Sequence, residues 1–426
     1  MSPKTGTSRK FSAQVRINHL EALVEASKII NSTLDLDQLL NLILTTALDN
    51  TSAEAGTIYL LDAEKKEIWS KVLQGDKKIE IHLPLGKGIA GTVAQSGETI
   101  NLTDAYADMR FDREFDKHSG FKTQNMLCMP MRNNAGETIG VFQILNKKNG
   151  VFVPEDEEFL DALSIHASLA VTNAKLYKEA LEKKRLEGEL ELAREIQEHL
   201  LPQCQPIIPG YEFAAVNNSC YQVGGDYYDY IEGQRNCFGF AIGDVSGKGI
   251  PASLLMATLR GGLHSQMKSR RPLTNRISSL NKLICQCTSA GKFITFFYGE
   301  LCPNTGEISY VNCGHNPPVH ATDDENIITL QTGGLILGLV ENADFEKGTL
   351  TLKPNEVLVL YTDGVNEAMN KRKQEYTMER LIKIIKKCKT KSASEIMDDI
   401  IESVSKFTKG APQADDITLM IIKRVK

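Results

Sequence analysis

Four short aspartate motifs constrain the second half of this chain more than any other feature of it. They are Gly224-Gly225-Asp226-Tyr227-Tyr228-Asp229, Gly243-Asp244-Val245-Ser246-Gly247-Lys248-Gly249, Tyr361-Thr362-Asp363-Gly364 and Asp415-Asp416-Ile417-Thr418. Apolar, β-prone runs lead into two of them, Phe238 to Gly243 and Val357 to Thr362. A lone Asp beside Gly is ordinarily a turn residue. Repeated at strand-like ends through one domain, it points instead to carboxylates aimed at one place by a rigid sheet. Hard divalent cations such as Mg²⁺ and Mn²⁺ prefer oxygen ligands. Two such ions held together activate a water and clamp a phosphoryl group at once.

The chain has 426 residues, enough for two or three domains with cores of their own. Its composition, 42% hydrophobic and 24% charged, is that of an ordinary globular protein. A net charge of −5 gives no basis for nucleic-acid binding. No apolar stretch reaches the roughly 18 residues of a membrane span. Met1 to Lys10 is polar and basic without an apolar core, so it reads as a loose tail rather than a signal peptide. Nine cysteines, an odd number with no Cys-x-x-Cys, argue against a disulfide framework and for a cytoplasmic setting. Cys285 and Cys287 read as helix-packing residues.

Apolar spacing predicts helix over 19–50, with a break before a second helix from Asp37 to Leu48. Short strands follow at Thr57–Leu61, Glu67–Lys71, Ile79–Leu83, Met126–Met131 and Thr138–Leu145. Pro154 and the acidic run Glu155 to Glu158 suit the positive end of a helix reaching towards Tyr177. From Lys175 to Leu200 no proline occurs, and Leu186, Leu190, Ala193, Gln197 and Leu200 follow four-three spacing. This is the pattern of a coiled-coil seam; a solvated single helix is the other reading, and a position between two domains favours a parallel dimer. The remainder alternates strands with helices at about 253–268, 273–290 and 377–407. The expected organisation is a tail at 1–18, an α+β sensor unit at 19–175, a helical linker at 176–202 and a second α+β domain at 203–426.

The aspartate motifs, together with Ile196-Gln197-Glu198-His199-Leu200-Leu201-Pro202, Gly249 to Met256 and Gly314-His315-Asn316-Pro317-Pro318, resemble the metal-dependent Ser/Thr protein phosphatases (PPM) in their bacterial SpoIIE-like branch. The resemblance implies an αββα sandwich holding two Mn²⁺ or Mg²⁺ ions. By motif match Asp244 bridges both ions, and the Val245 carbonyl completes the second ion's shell. Asp363 and Asp415 belong to the first ion, and Asp226 acts through water. Asp416 stands either as a supporting residue or with its role exchanged with Asp415; Asp229 supports the first motif. Asp226, Asp244, Asp363 and Asp415 are then the catalytic set. His315 reads as structural. Gly247-Lys248-Gly249 lacks the spacing of a nucleotide phosphate loop. Cys302, where relatives often carry Asp, reads as a turn residue. The implied substrate is a phosphoserine or phosphothreonine of a phosphoprotein, typically an anti-sigma-factor antagonist.

The N-terminal unit resembles GAF domains of the cyclic-nucleotide-binding kind. The resemblance rests on Gly86 to Gly91, on Phe111 to Asp116 with Ser119 to Asn125, and on the spaced signature Asn146, Lys147, Phe152, Asp156 and Glu157. It implies pocket contacts from Ile89, Ala90, Asp116, Ser119, Thr123 and Gln143, with cAMP or cGMP as ligand. Lys147 is expected to pair with Asp156 and shape the pocket wall. GAF domains also serve as ligand-free dimerisation modules. The leading reading is a sensor-controlled phosphatase acting as a homodimer without nucleic acid or membrane. The rival is a pseudo-phosphatase or GAF-dimerised binding module that docks a partner without turnover. A cyclic-nucleotide phosphodiesterase lacks its His-rich metal cluster here.

Overall fold

A computed structural model describes residues 20–25, 33, 35–74, 77–133, 135–233, 237–288, 291–324 and 326–426. The expected tail 1–18, and Ile29 and Ile30 of the first expected helix, lie outside the described residues. The chain divides into two compact units, Met1–Arg185 and Leu186–Lys426. Among the described residues no helix is long and apolar enough to cross a membrane.

The first unit is built on an antiparallel sheet of β1 (Ala53–Asp62), β2 (Glu67–Gln74), β3 (Lys77–Pro84), β4 (Ile100–Leu102), β5 (Met126–Arg132) and β6 (Thr138–Lys147), in the order β3-β2-β1-β6-β5-β4. Strand alternation gives the sheet two apolar faces. Ile58, Leu60, Phe142 and Ile144 meet Leu39, Ile43, Phe159 and Leu163 from the helices Leu36–Thr51 and Pro154–Leu200. Tyr59, Val141 and Leu145 face Ile89, Ala90 and Val93 of the helix Gly88–Ser96. Asp35 caps the helix Leu36–Thr51 by accepting from the Gln38 amide. The helix begun at Pro154 and the expected helical linker form one unbroken helix, Pro154–Leu200.

The second unit is a sandwich. One sheet runs β14-β11-β10-β9-β8, with β15 also on β11; the other runs β13-β12-β16-β17-β7. The strands are β7 (Tyr211–Asn218), β8 (Tyr227–Glu232), β9 (Phe238–Val245), β10 (Ile294–Cys302), β11 (Glu307–Cys313), β12 (Val319–Ala321), β13 (Ile327–Thr329), β14 (Gly333–Gly334), β15 (Gly348–Thr351), β16 (Val357–Tyr361) and β17 (Ile417–Arg424). Phe240, Ile242, Phe297, Leu358, Leu360 and Met420 fill the space between the sheets. Helices Ile250–Met267 and Leu273–Cys287 cover one outer face. Helices Met378–Cys388 and Ala393–Thr408 cover the other. This is the αββα arrangement expected.

Two expectations are corrected. The helix read over 377–407 is two helices, because Ser392 and Glu395 form a reciprocal capping box that starts the second. The thiols are not all free: Cys237 and Cys302 form a disulfide. Phe238 pairs with Leu301 across β9 and β10, so the two cysteines are brought side by side at the next register position.

Candidate functional site

Each aspartate motif lies at a strand end of the sandwich. Asp226 immediately precedes β8 and Asp244 is the second-to-last residue of β9, both in one sheet; Asp363 follows β16 and Asp415-Asp416 precedes β17, both in the other. Hydrogen bonds tie the two sheets together here. Asp226 Oδ2 accepts from the hydroxyls of Thr362 at 2.8 Å and Thr418 at 2.5 Å. Both Asp416 oxygens are taken by backbone amides: Oδ1 by Cys220 at 2.6 Å, Oδ2 by Gly225 at 2.8 Å and Asp226 at 3.4 Å. Asp416 therefore pins the loop that carries Asp226. Asp415 is half out in solvent, its Oδ2 3.0 Å from Lys248 Nζ.

Close backbone approach explains two glycines. A Cβ on Gly364 would lie 1.9 Å from the Asp416 carbonyl, and one on Gly225 would lie 2.9 Å from the Val245 carbonyl. Any side chain at either position would push the motifs apart.

The electrostatics record how tightly the acids are gathered. Burial, then the charges of Asp363, Asp415 and Asp416, push the Asp244 carboxyl up to about 7. Burial and Asp244 hold Asp226 well above the usual carboxylate range. Asp363 is raised by burial and then by Asp415. Among the described residues no three such side chains are already drawn into a closed metal cage. Divalent cations bound there would offset the mutual repulsion of these carboxylates. The donor set is all oxygen, so it fits Mn²⁺ or Mg²⁺.

Asp229 stands apart from this group. It accepts from Tyr227 Oη at 2.6 Å and lies 2.6 Å from His264 Nε2, with Arg260 Nε at 3.6 Å. It thus fixes β8 against the helix Ile250–Met267. His315 is buried 2.9 Å from Thr295 Oγ1, and burial lowers its pKa to about 4, so it is a neutral packing residue at ordinary pH. Gln197, read as a seam position, is buried against its own unit: its amide donates to the Gly224 carbonyl at 2.7 Å and accepts from the Gly224 amide at 3.0 Å. Leu200 packs into the same unit's core. Helical periodicity signals a buried face without saying what buries it.

In the first unit, Asp116 and Thr123 come together but spend their polar atoms on each other. Asp116 accepts from the Thr123 amide at 2.7 Å and hydroxyl at 2.9 Å, and from Tyr106 Oη at 3.0 Å. Ile89 and Ala90 are buried in the first turn of their helix, and Gln143 shares their face of β6 by alternation with Val141 and Leu145. Ser119 ends the helix Arg113–Ser119, its side chain outside the described residues. The spaced signature is a tie between elements. Lys147 pairs with Asp156, largely buried, and Asp156 also accepts from the Val153 amide at 2.8 Å. Asn146 bonds to Glu54, Lys122 and Gln124. Asn101, which the motifs did not flag, donates to the Phe152 carbonyl and to Glu157.

Comparison with known proteins agrees with this division. The family model for Stage II sporulation protein E (SpoIIE) matches residues 234–425, and that for the GAF domain matches 35–171. The chain is 29% identical over 242 residues to the phosphoserine phosphatase RsbU of Bacillus subtilis, covering 56% of this chain and 71% of that protein. It is 36% identical over 188 residues to the dual 3',5'-cyclic-AMP and -GMP phosphodiesterase 11A of Takifugu rubripes, covering 41% of this chain but 21% of the relative. The SiaA-PP2C domain of Pseudomonas aeruginosa superposes with a TM-score of 0.51 at 19% identity, over 57% of this chain and 99% of that one.

Proposed function

We infer that this chain, which joins an N-terminal GAF domain to a SpoIIE-type PP2C phosphatase domain and is homologous to RsbU, is a sensor-regulated phosphoserine/phosphothreonine protein phosphatase. One observation carries the reading: carboxylates from strand ends of both sheets converge on one place, where burial and then their charges push Asp244 up to about 7. Asp244, the Val245 carbonyl, Asp363 and Asp415 would hold two Mn²⁺ or Mg²⁺ ions, with Asp226 contributing through water. Such ions activate water for attack and neutralise phosphoryl charge. Thr362 and Thr418 hold Asp226 in one orientation. Asp416, its oxygens committed to amides, serves as the brace rather than a ligand. Cations held there would favour the ionised form of Asp244, whose carboxyl is raised by burial and then by the charges of Asp363, Asp415 and Asp416.

The phosphoprotein we propose is an anti-sigma-factor antagonist, as the SpoIIE-like motifs imply. Hydrolysis of a phosphoserine peptide by the full chain should require Mn²⁺ or Mg²⁺ and stop in chelator. Turnover that persists in chelator, or none with either metal, would overturn the reading; the second outcome would leave a partner-docking pseudo-phosphatase.

For the GAF domain we propose a cyclic nucleotide, supported by the complete signature from Asn146 to Glu157 and by the similarity to a cyclic-nucleotide phosphodiesterase. Calorimetric titration of the full chain with cAMP and with cGMP should show saturable heat for at least one. Thr123→Ala should weaken binding, since it frees the Asp116 end of the pocket wall. Absence of heat with both ligands at millimolar concentration would assign the domain to dimerisation alone.

A further inference from the structure

The Gly247-Lys248-Gly249 turn follows Asp244 at once, and the function proposed above leaves its lysine without a role. Gly247 and Gly249 both have positive φ, 98° and 72°, a backbone region that disfavours side chains. Lys248 thus lies between two glycine-permitted conformations just before the helix Ile250–Met267 begins. The lysine is turned towards the opposite sheet, where Nζ lies 3.0 Å from Asp415 Oδ2 and donates to the Ala414 carbonyl. It also lies 5.9 Å from the centre of the Tyr221 ring.

A cleft of ≈ 570 Å³ opens at this point, and Asp363, Glu367, Asp415 and Lys248 all line it. Among the described residues on its wall, Lys248 is the sole Lys or Arg. A phosphoryl dianion entering beside three carboxylates meets repulsion that falls off only with distance and dielectric. Cations at the metal positions offset part of it. The oxygen directed away from them still needs a donor, and a flexible ammonium serves as a point charge for it.

We propose that Lys248 holds the substrate's phosphoryl group. In the metal-free protein its ammonium rests on Asp415. A divalent cation on Asp415 would share its charge and weaken the ion pair, leaving the ammonium free to donate to a phosphoryl oxygen. The inference rests on the phosphatase reading for its substrate, but its test does not need turnover.

The experiment is calorimetry on the full chain, first with Mn²⁺ and then with inorganic phosphate added to the Mn²⁺-loaded protein, for wild type, Lys248→Met and Lys248→Arg. Loss of a charge-assisted hydrogen bond predicts that Lys248→Met binds phosphate about tenfold or more weakly. Its Mn²⁺ affinity should be unchanged or higher, because Asp415 loses a competitor. Lys248→Arg should retain phosphate binding to within about threefold, since charge is kept while geometry changes. Equal phosphate affinity in wild type and Lys248→Met overturns the proposal. Loss of Mn²⁺ together with phosphate in Lys248→Met also overturns it, by making the lysine a support for the ligand loop. Phosphate bound through Lys248 by a protein that hydrolyses no phosphoserine would support this assignment while sinking the phosphatase reading.

Discussion

Asp244→Asn is expected to abolish metal-dependent hydrolysis and, in chelator at pH 8, to raise the melting temperature. The two effects have one cause. The Asp244 carboxyl sits near 7 in the folded protein against a reference of 3.8, raised by burial and then by Asp363, Asp415 and Asp416. Between those values the folded state keeps a proton that the unfolded chain has released. Stability without metal therefore falls as pH rises through that window, and the whole penalty is present above it. The shift corresponds to roughly 4 kcal/mol at most, less whatever is shared with Asp226, whose pKa is raised partly by Asp244 itself. Asparagine carries no such penalty, so a gain of about 5 °C is expected at pH 8 and little at pH 4. Activity should fall about a thousandfold or more, because Asn would remove a carboxylate proposed to hold the cations that would supply much of the transition-state stabilisation. Turnover near wild type, or a melting temperature that drops in chelator, would contradict the assignment.

The aspartates were legible because the features that place them are local. Apolar, β-prone runs lead into Asp244 and Asp363, Gly224-Gly225 leads into Asp226, and each motif lies at a strand end. Non-local partners left no such mark. Thr362 and Thr418 stand inside their motifs, yet nothing in the sequence says that both donate to Asp226, 136 and 192 residues away. His264 and Arg260, which meet Asp229, lie on a helix whose apolar spacing gives its buried face but not its polar contacts. The Cys237–Cys302 disulfide spans 65 residues and depends on the register of β9 with β10. The helix break at 389–391 was hidden because a capping box needs only two ordinary polar residues, Ser392 and Glu395. In the GAF domain the signature Asn146 to Glu157 was readable, whereas its effect, a brace between strand, loop and helix, emerged only with the partners Asn101, Glu54 and Val153 in place.

A single alanine inserted after Glu189 is expected to abolish any effect of GAF ligand on hydrolysis, while seven inserted residues largely restore it. One helix, Pro154–Leu200, runs from the core of the first unit, through Phe159 and Leu163, to the second, where Gln197 grips Gly224. Gly224 adjoins Gly225 and Asp226, whose amides reach Asp416. The downstream end of the helix is thus fixed two residues from a candidate ligand, and the upstream end is built into the sensor. A signal carried by rotation of this helix, in a parallel dimer such as the linker pattern proposes, depends on phase. One added residue turns the upstream part by about 100° relative to Gln197, whereas seven leave it within about 20° of its original direction. Basal hydrolysis should survive both insertions, since neither touches the Gln197 contact. The measurement is phosphoserine turnover with and without saturating cyclic nucleotide for each insertion, with light scattering to establish the oligomer. Identical ligand response in the two variants, or a monomer that responds fully, would show that the helix passes its signal by some means other than phase. The contact to watch in that case is Gln197 to Gly224, because any movement of the helix must cross it before it reaches Asp226.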